Sequence, residues 1–249
     1  MLKHERHQFI LEKLKADRKV LSASLSQDLG VSEDTIRRDL KELEKKKLLY
    51  KVHGGAMSIE NPLLTYDERS VSNPIKKKSI AKKAVELIHD GQVIIMSGST
   101  TNLEIAKIIP ANIAVTIFTY SLPIALELTK HSSIEVIFIG GKLNKAAQVS
   151  VGIDVVNTIS NIRADICFVG TGGMHIKKGM TEPDWEVAHI KKRMIEVSDY
   201  VVSICVSPKL MDVRKFAVVT TDAIDAMVTD LDANDRIFDE FKAHGLTII

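Results

Sequence analysis

Cysteine is scarce in this chain of 249 residues; Cys167 and Cys205 are the only two, and they sit in separate apolar runs. That rules out a disulfide framework, and their spacing is not that of a metal site, so two buried thiols in a reducing cytoplasm are expected. Long apolar runs are also lacking. Val93 to Met96 and Val136 to Ile139 fall far short of the roughly 20 residues that cross a bilayer, and no membrane association is expected. Met1 to Arg18 is charged throughout, so no apolar leader is expected there. No fixed-period repeat and no low-complexity tract occurs. Neither sign of charge dominates, with 34 Lys and Arg against 32 Asp and Glu, and the total alone does not point to nucleic acid.

What is present is enough hydrophobic residue, 45%, for real cores, and a length that suits two domains. The charge is unevenly placed. Residues 1–58 hold 13 Lys and Arg against 9 Asp and Glu, while the remainder holds 21 against 23. A small basic head on a mildly acidic body fits a nucleic-acid module joined to something else.

In residues 1–57 the periodicity predicts three short helices and a hairpin. Phe9, Ile10 and Leu14 recur at helical spacing, and Val20-Leu21 forms a short strand. Ser22 opens a second helix that Gly30 stops, and Ser32 caps a third running to about Lys46. Leu48, Tyr50 and Val52 alternate with Leu49 and Lys51, and Gly54-Gly55 supplies a tight turn. Residues 58–75 lose periodicity between Pro62 and Pro74 and read as a linker that lies partly against a domain surface.

Residues 76–249 alternate strands and helices. Strands are expected at 93–96, 115–118, 136–139, 166–169 and 201–206, with weaker ones at 226–228 and 247–249. Their β-branched, unalternated character predicts a mostly parallel sheet covered on both faces, an α/β architecture.

At about 100° per residue, Ile36, Leu40 and Leu43 of the third helix form a narrow apolar stripe, and Asp34, Arg38, Lys41 and Lys45 face the opposite way. A helix fits the major groove, and residues near its start reach base edges; here these are Ser32, Glu33, Thr35, Arg37 and Arg38. Lys41, Lys45 and Lys51 suit phosphate contacts, with His53 on the wing. A merely solvated charged face explains Arg37-Arg38 about as well, but not the whole constellation.

In the body, Ser97-Gly98-Ser99-Thr100-Thr101 follows a strand and opens a helix. It reads either as a phosphate cradle or as a helix cap, and its place at a strand's carboxyl end favours the cradle. Thr119-Tyr120-Ser121, Gly140-Gly141-Lys142 and Gly170-Thr171-Gly172-Gly173 follow neighbouring strands. The last lacks the full dinucleotide-binding spacing, and tight turns are the simpler role for its glycines.

Val31 to Leu40, with Leu43 and then His53-Gly54-Gly55-Ala56, resembles the signature of the DeoR family of bacterial repressors. In the body Ser97 to Thr101, Gly140-Gly141, Gly152, Ala164-Asp165, Gly179-Met180-Thr181, Glu186 and Lys191 to Ile195 resemble the family's effector domain. The resemblance implies a winged helix-turn-helix ahead of an α/β domain similar to ribose-phosphate isomerases and CoA transferases. It also implies phosphate binding by Ser97 to Thr101, with Lys191 and Lys209 as cationic partners. Two positions depart from the family pattern. Val206 stands where an acidic residue is usual, in the run Val206-Ser207-Pro208-Lys209-Leu210, and Tyr120 stands where Asn is frequent.

Catalysis and protein docking are the rival classes. Glu182, Asp184 and Glu186 could supply a base, but no nucleophile–base pair or metal-ligand cluster accompanies them. The expectation is a non-enzymatic repressor of carbohydrate catabolic genes that needs no cofactor or metal. It would bind a double-stranded operator as a homo-oligomer, dimer or tetramer, and release it on binding a phosphorylated sugar.

Overall fold

The computed structural model describes residues 2–17, 19–46, 48–52, 54–58 and 65–249. It forms two compact units, Met1–Leu64 and Thr65–Ile249.

The first unit contains α1 (Lys3–Asp17), β1 (Lys19–Leu21), α2 (Ser22–Leu29), α3 (Glu33–Lys45), β2 (Leu49–Val52) and β3 (Gly55–Ser58). Ile10, Leu14, Val20, Leu25, Ile36, Leu40, Leu43, Leu49 and Ala56 make its core, so the apolar stripe of α3 points inward as its spacing requires. Gly30 ends α2 in the left-handed region at φ 62°. Three short strands pair antiparallel in the order β1-β3-β2. The turn lies one residue earlier than Gly54-Gly55, because Gly55 already pairs with Val52 inside β3. Gly55 also packs on the β1 backbone, where a Cβ would stand 2.0 Å from the Val20 carbonyl oxygen. Leu49 faces the core, while Leu48 and Tyr50 are exposed.

The second unit opens with α4 (Tyr66–Val71) and α5 (Pro74–Ala84). The expected linker of 58–75 is therefore too long at its carboxyl end. Thr65 and Glu68 form a capping box that starts α4, a local signal hidden by the helix's short length. The unit continues with β4 (Val93–Met96), α6 (Thr100–Ala106), β5 (Val115–Thr119), α7 (Leu122–Leu128) and β6 (Ile134–Phe138). A hairpin of β7 (Lys142–Asn144) and β8 (Val149–Val151) leads to α8 (Ile153–Ser160) and β9 (Ala164–Gly170). Then come β10 (Gly173–His175), β11 (Gly179–Glu182), α9 (Trp185–Glu196), β12 (Ser198–Cys205), β13 (Phe216–Val219), β14 (Ala226–Thr229), α10 (Asp239–Ala243) and β15 (Thr247–Ile248).

Seven strands form one parallel sheet in the order β15-β14-β12-β9-β4-β5-β6. Alternate side chains serve opposite faces: Ile94, Met96, Ile166 and Phe168 join one core, while Ile95, Cys167 and Val169 join the other. Both faces are covered, which explains the unbroken apolar runs of the strands. From β4 the chain winds outward through β5 to β6, then returns to β9 on the other side of β4. The carboxyl ends of β4 and β9 thus flank the topological switch point, where open parallel sheets bind ligands. Beside it, β10, β11 and β13 form a small antiparallel sheet that composition alone did not signal.

One buried charge ties the first unit together. Asp39, 2% exposed on α3, accepts from Arg6 Nε at 2.8 Å and Nη2 at 3.2 Å, and its Oδ1 lies 3.1 Å from His7 Nε2. The bond to Asp39 raises the Arg6 pKa. Replacing Asp39 by Ala removes its bonds to Arg6 and His7 from a buried position, and a loss of about 2–3 kcal/mol is expected. Denaturant unfolding of the isolated first unit and of the whole chain checks this; an unchanged midpoint refutes it.

Candidate nucleic-acid interface and ligand site

Helix α3 is set by its own first turn. The Ser32 hydroxyl accepts from Thr35 N at 3.3 Å and lies 3.0 Å from Thr35 Oγ1, and Glu33 and Asp34 follow at the positive end of the helix. Ser32, Glu33, Arg37, Arg38, Lys41 and Lys45 are exposed, and Thr35 is half-buried. Arg37 pairs with Glu33 at 3.5 Å and with Asp34 at 3.6 Å. These exposed pairs are weak and leave the guanidinium available. Arg38, Lys41 and Lys45 make no ion pair among the described residues. Lys51 is exposed on β2, and its backbone N–H donates to Glu44 at 3.0 Å. His53 lies outside the described residues. One exposed face therefore brings together the expected base-reading and phosphate-contacting groups of α3.

In the second unit the 97–101 turn is stitched across the switch point. Ser97 Oγ accepts from Gly170 N at 2.7 Å and from Asn102 Nδ2 at 3.2 Å, while Asn102 Nδ2 also donates to Phe168 O at 2.9 Å. Ser99 Oγ caps α6 by accepting from Asn102 N at 2.9 Å. The cap reading is thus real for Ser99, while Ser97 joins two strand ends; in these bonds both hydroxyls act as acceptors. Thr100 and Thr101 are buried beside them. Asn102, absent from the sequence-based set, is the residue that locks the turn.

The two lysines are not surface groups. Lys191 is 3% exposed and donates to the Gly170 carbonyl at 2.5 Å and to Glu182 at 2.9 Å. Lys209 Nζ donates to the Thr171 carbonyl. Burial depresses the Lys209 pKa to about 8, against the support of Glu182 and with the repulsion of Lys191 and Arg69. The side chain is half-buried. The backbone clears room for this: a Cβ on Gly172 would stand 2.6 Å from Glu182 Oε2, and one on Gly170 2.5 Å from Ser99 Cβ.

Tyr120 fills the space between these strand ends, fully buried; burial pushes its pKa up, against hydrogen bonds with the Gly98 backbone and the Ser97 hydroxyl. Val206 is buried in an apolar cluster. The nearest acid to its successor is Asp230, which accepts from Ser207 N at 2.6 Å and Ser207 Oγ at 2.8 Å and pairs with Lys76 at 3.1 Å. Burial pushes the Asp230 carboxyl up, but the bonds from Ser207 and Lys76 outweigh it and leave the pKa lowered. Gly140 and Gly141 are exposed, and Gly141 packs against Val155 and Val151 at the start of the β7–β8 hairpin. Asp184 caps α9 through Val187 N and also accepts from Asn144, and Glu186 pairs with Lys142 at 3.5 Å. Glu182 is thus held by Lys191 and Asp184 by the α9 cap, whereas the exposed Glu186 pair is weak.

Residues 6–61 match the DeoR-like helix-turn-helix domain and residues 72–231 the DeoR C terminal sensor domain. The chain belongs to the DeoR family of transcriptional regulators. It is 31% identical over 250 residues to the HTH-type transcriptional regulator GolR of Listeria innocua, covering 100% of this chain and 98% of that one. The glycerol-3-phosphate regulon repressor of Escherichia coli K12 is 27% identical over 231 residues, 92% of each. Among solved structures, the ribose 5-phosphate isomerase A of Methanocaldococcus jannaschii aligns with TM-score 0.42 and 17% identity over 56% of this chain and 55% of that one. That likeness is too loose to bear on mechanism. The fold rests on the strand order itself. DeoR-family relatives are regulators rather than enzymes. Among the described residues, no helix is long and apolar enough to cross a membrane.

One residue of this DeoR-family site was invisible to sequence reasoning. Arg69 lies on α4, within the stretch read as linker. Burial lowers its pKa, against the support of the Glu182 carboxylate. The capping box at Thr65 was the available signal, because a helix there turns Arg69 into the second unit.

Lys209 gives the site a pH signature. Its folded pKa lies below its ordinary value, so between pH 8 and about 10.4 the unfolded chain binds more protons than the folded one. Stability contributed at this position therefore rises with pH across that window, and the penalty is fully present below about 8. The difference in thermal midpoint between Lys209→Met and the parent chain should shrink from pH 7 to pH 10. A constant difference refutes the assignment.

Proposed function

We propose that this DeoR-family regulator represses carbohydrate catabolic genes by reading a DNA operator with α3, and that a phosphorylated sugar bound at the β4–β9 switch point relieves repression. The observation that carries the DNA half is the exposed cationic face of α3, with Arg38, Lys41 and Lys45 unpaired among the described residues. In this reading Ser32, Glu33, Thr35, Arg37 and Arg38 meet base edges, and Lys41, Lys45, Lys51 and His53 hold phosphates. Two or four copies of the chain present their heads to spaced half-sites.

The sensing half rests on buried cations gathered at strand ends, where Lys191 and Lys209 adjoin Gly170 and Thr171. Ser97, Gly98, Ser99, Thr100 and Thr101 line the same crevice and offer hydroxyl and amide donors to a phosphoryl group. Gly140 and Gly141 shape the approach to it. The names of relatives agree with a phosphorylated small-molecule theme, as in a glycerol-3-phosphate regulon repressor. An effector must prefer one arrangement of the heads to act at all, so its affinity differs between operator-bound and free protein.

Arg38→Ala should weaken operator binding by about 1–3 kcal/mol and relax sequence preference, as judged by titration of a labelled operator selected from random duplexes. Operator affinity should also fall steeply with salt; if roughly six phosphates are engaged, the log–log slope is near −5. A flat salt response, or full affinity in the Arg38 variant, removes the α3 assignment. Ser99→Asp keeps a good N-cap but places a carboxylate where the effector phosphate would lie. Thermal stabilisation by sugar phosphates should vanish in that variant while operator binding survives. Stabilisation that persists locates the pocket elsewhere.

A further inference from the structure

We infer that Arg69 is an effector-binding residue, and that with Lys191 and Lys209 it gives the sensing unit a charge complement for a phosphate monoester in its doubly negative form. This rests on the phosphate-sensing reading above and adds to it a residue and a selection rule.

Charge balance at the switch point carries the case. Three cations, Arg69, Lys191 and Lys209, share the field of one buried carboxylate, Glu182, which is already bonded to Lys191 at 2.9 Å. Among the described residues, Lys209 has only the Thr171 carbonyl as a hydrogen-bond partner. Arg69 has less: its Nε is sequestered with no hydrogen-bond partner among the described residues, and its guanidinium carbon lies 5.7 Å from the centre of the Tyr66 ring. Its pKa is so high that it cannot shed the charge, and a buried cationic donor left unmade is costly. The remaining charges nearby are spoken for. Arg214 pairs with Asp212, and Asp184 serves the α9 cap and Asn144. Lys77, itself 4% exposed, closes the carboxyl end of α4 by donating to the Arg69 and Ser70 carbonyls, and adds to the positive field.

The crevice therefore carries about two uncompensated positive charges, together with an unsatisfied neutral group: Ser121 Oγ is fully buried and unpaired among the described residues. A phosphate monoester near neutral pH brings a charge of about −1.5 to −2 and three acceptor oxygens, which meets both deficits; a diester, with one charge, meets half of the first. Guanidinium suits the task because its fork engages two phosphate oxygens at once. Arg69 also gives the ligand a mechanical handle. α4 is the first element of the sensing unit in chain order, so a ligand that grips Arg69 fixes the start of that unit.

The test uses the full-length chain, methyl phosphate as the monoester and dimethyl phosphate as the diester, titrated calorimetrically at pH 7. The parent chain should bind methyl phosphate at least tenfold more tightly than dimethyl phosphate. In Arg69→Gln that preference should fall to about threefold or less, with Arg69→Lys intermediate. A residue of purely structural value would lower stability when replaced, whereas removing an uncompensated buried cation should leave the ligand-free thermal midpoint unchanged or raised. An Arg69→Gln chain that is destabilised or unfolded overturns the inference. So does one that keeps the tenfold preference. If the parent binds both esters equally, charge selection fails; if it binds neither, the phosphate-sensing reading falls with it.

Discussion

The carboxylate of Glu182 governs the sensing unit. It holds Lys191 against the Gly170 carbonyl, lies against Gly172, and tempers the repulsion among Lys191, Lys209 and Arg69. Without it, buried cations would crowd a low-dielectric crevice with no opposing charge, and they would be driven apart or neutralised. With it, the crevice is stable yet unbalanced. The elements that converge on Glu182 come from distant parts of the chain, α4, β9, β11, α9 and the turn after β12, and the parallel sheet exists to bring their ends together.

A comparable device holds the DNA-reading unit. Asp39 lies on the flank of the inward stripe of α3, and its bonds to Arg6 and His7 fix the rotation of α3 against α1. The outward face of α3 is defined by that rotation. In both units a buried acid surrounded by cations does the orienting, and the groups left over face outward or into the crevice to do the binding. Buried ion pairs add little net stability, so their value here is specificity of arrangement.

Much of this was legible in the order of residues. All seven strands of the parallel sheet stood out, because strands buried on both faces read as unbroken apolar runs. The α3 stripe of Ile36, Leu40 and Leu43 was plain from its spacing. The small sheet of β10, β11 and β13 was hidden, since Gly173, His175, Gly179 and Thr181 carry no β-branched run and β13 joins β11 only after α9 and β12 have intervened. Helix α4 was hidden by its six residues, too few for a period to show. Nothing in the spacing marked Asp39 as buried, and Lys191 and Lys209 were named as cationic partners only through the family resemblance. Burial of a charge depends on partners far away in sequence, Arg6 for Asp39 and Glu182 for Lys191, and periodicity holds no information about them.

The sulfur chemistry of the chain follows from the same sheet. Cys167 on β9 and Cys205 on β12 are both fully buried in the core beneath α9, and burial pushes each thiol up to about 12. At neutral pH the thiolate, the form that peroxides and electrophiles attack, is then almost absent at either position. Both thiols are accordingly poor targets for oxidants and electrophiles, and the sheet that buries them shields the chain's cysteine chemistry from its surroundings.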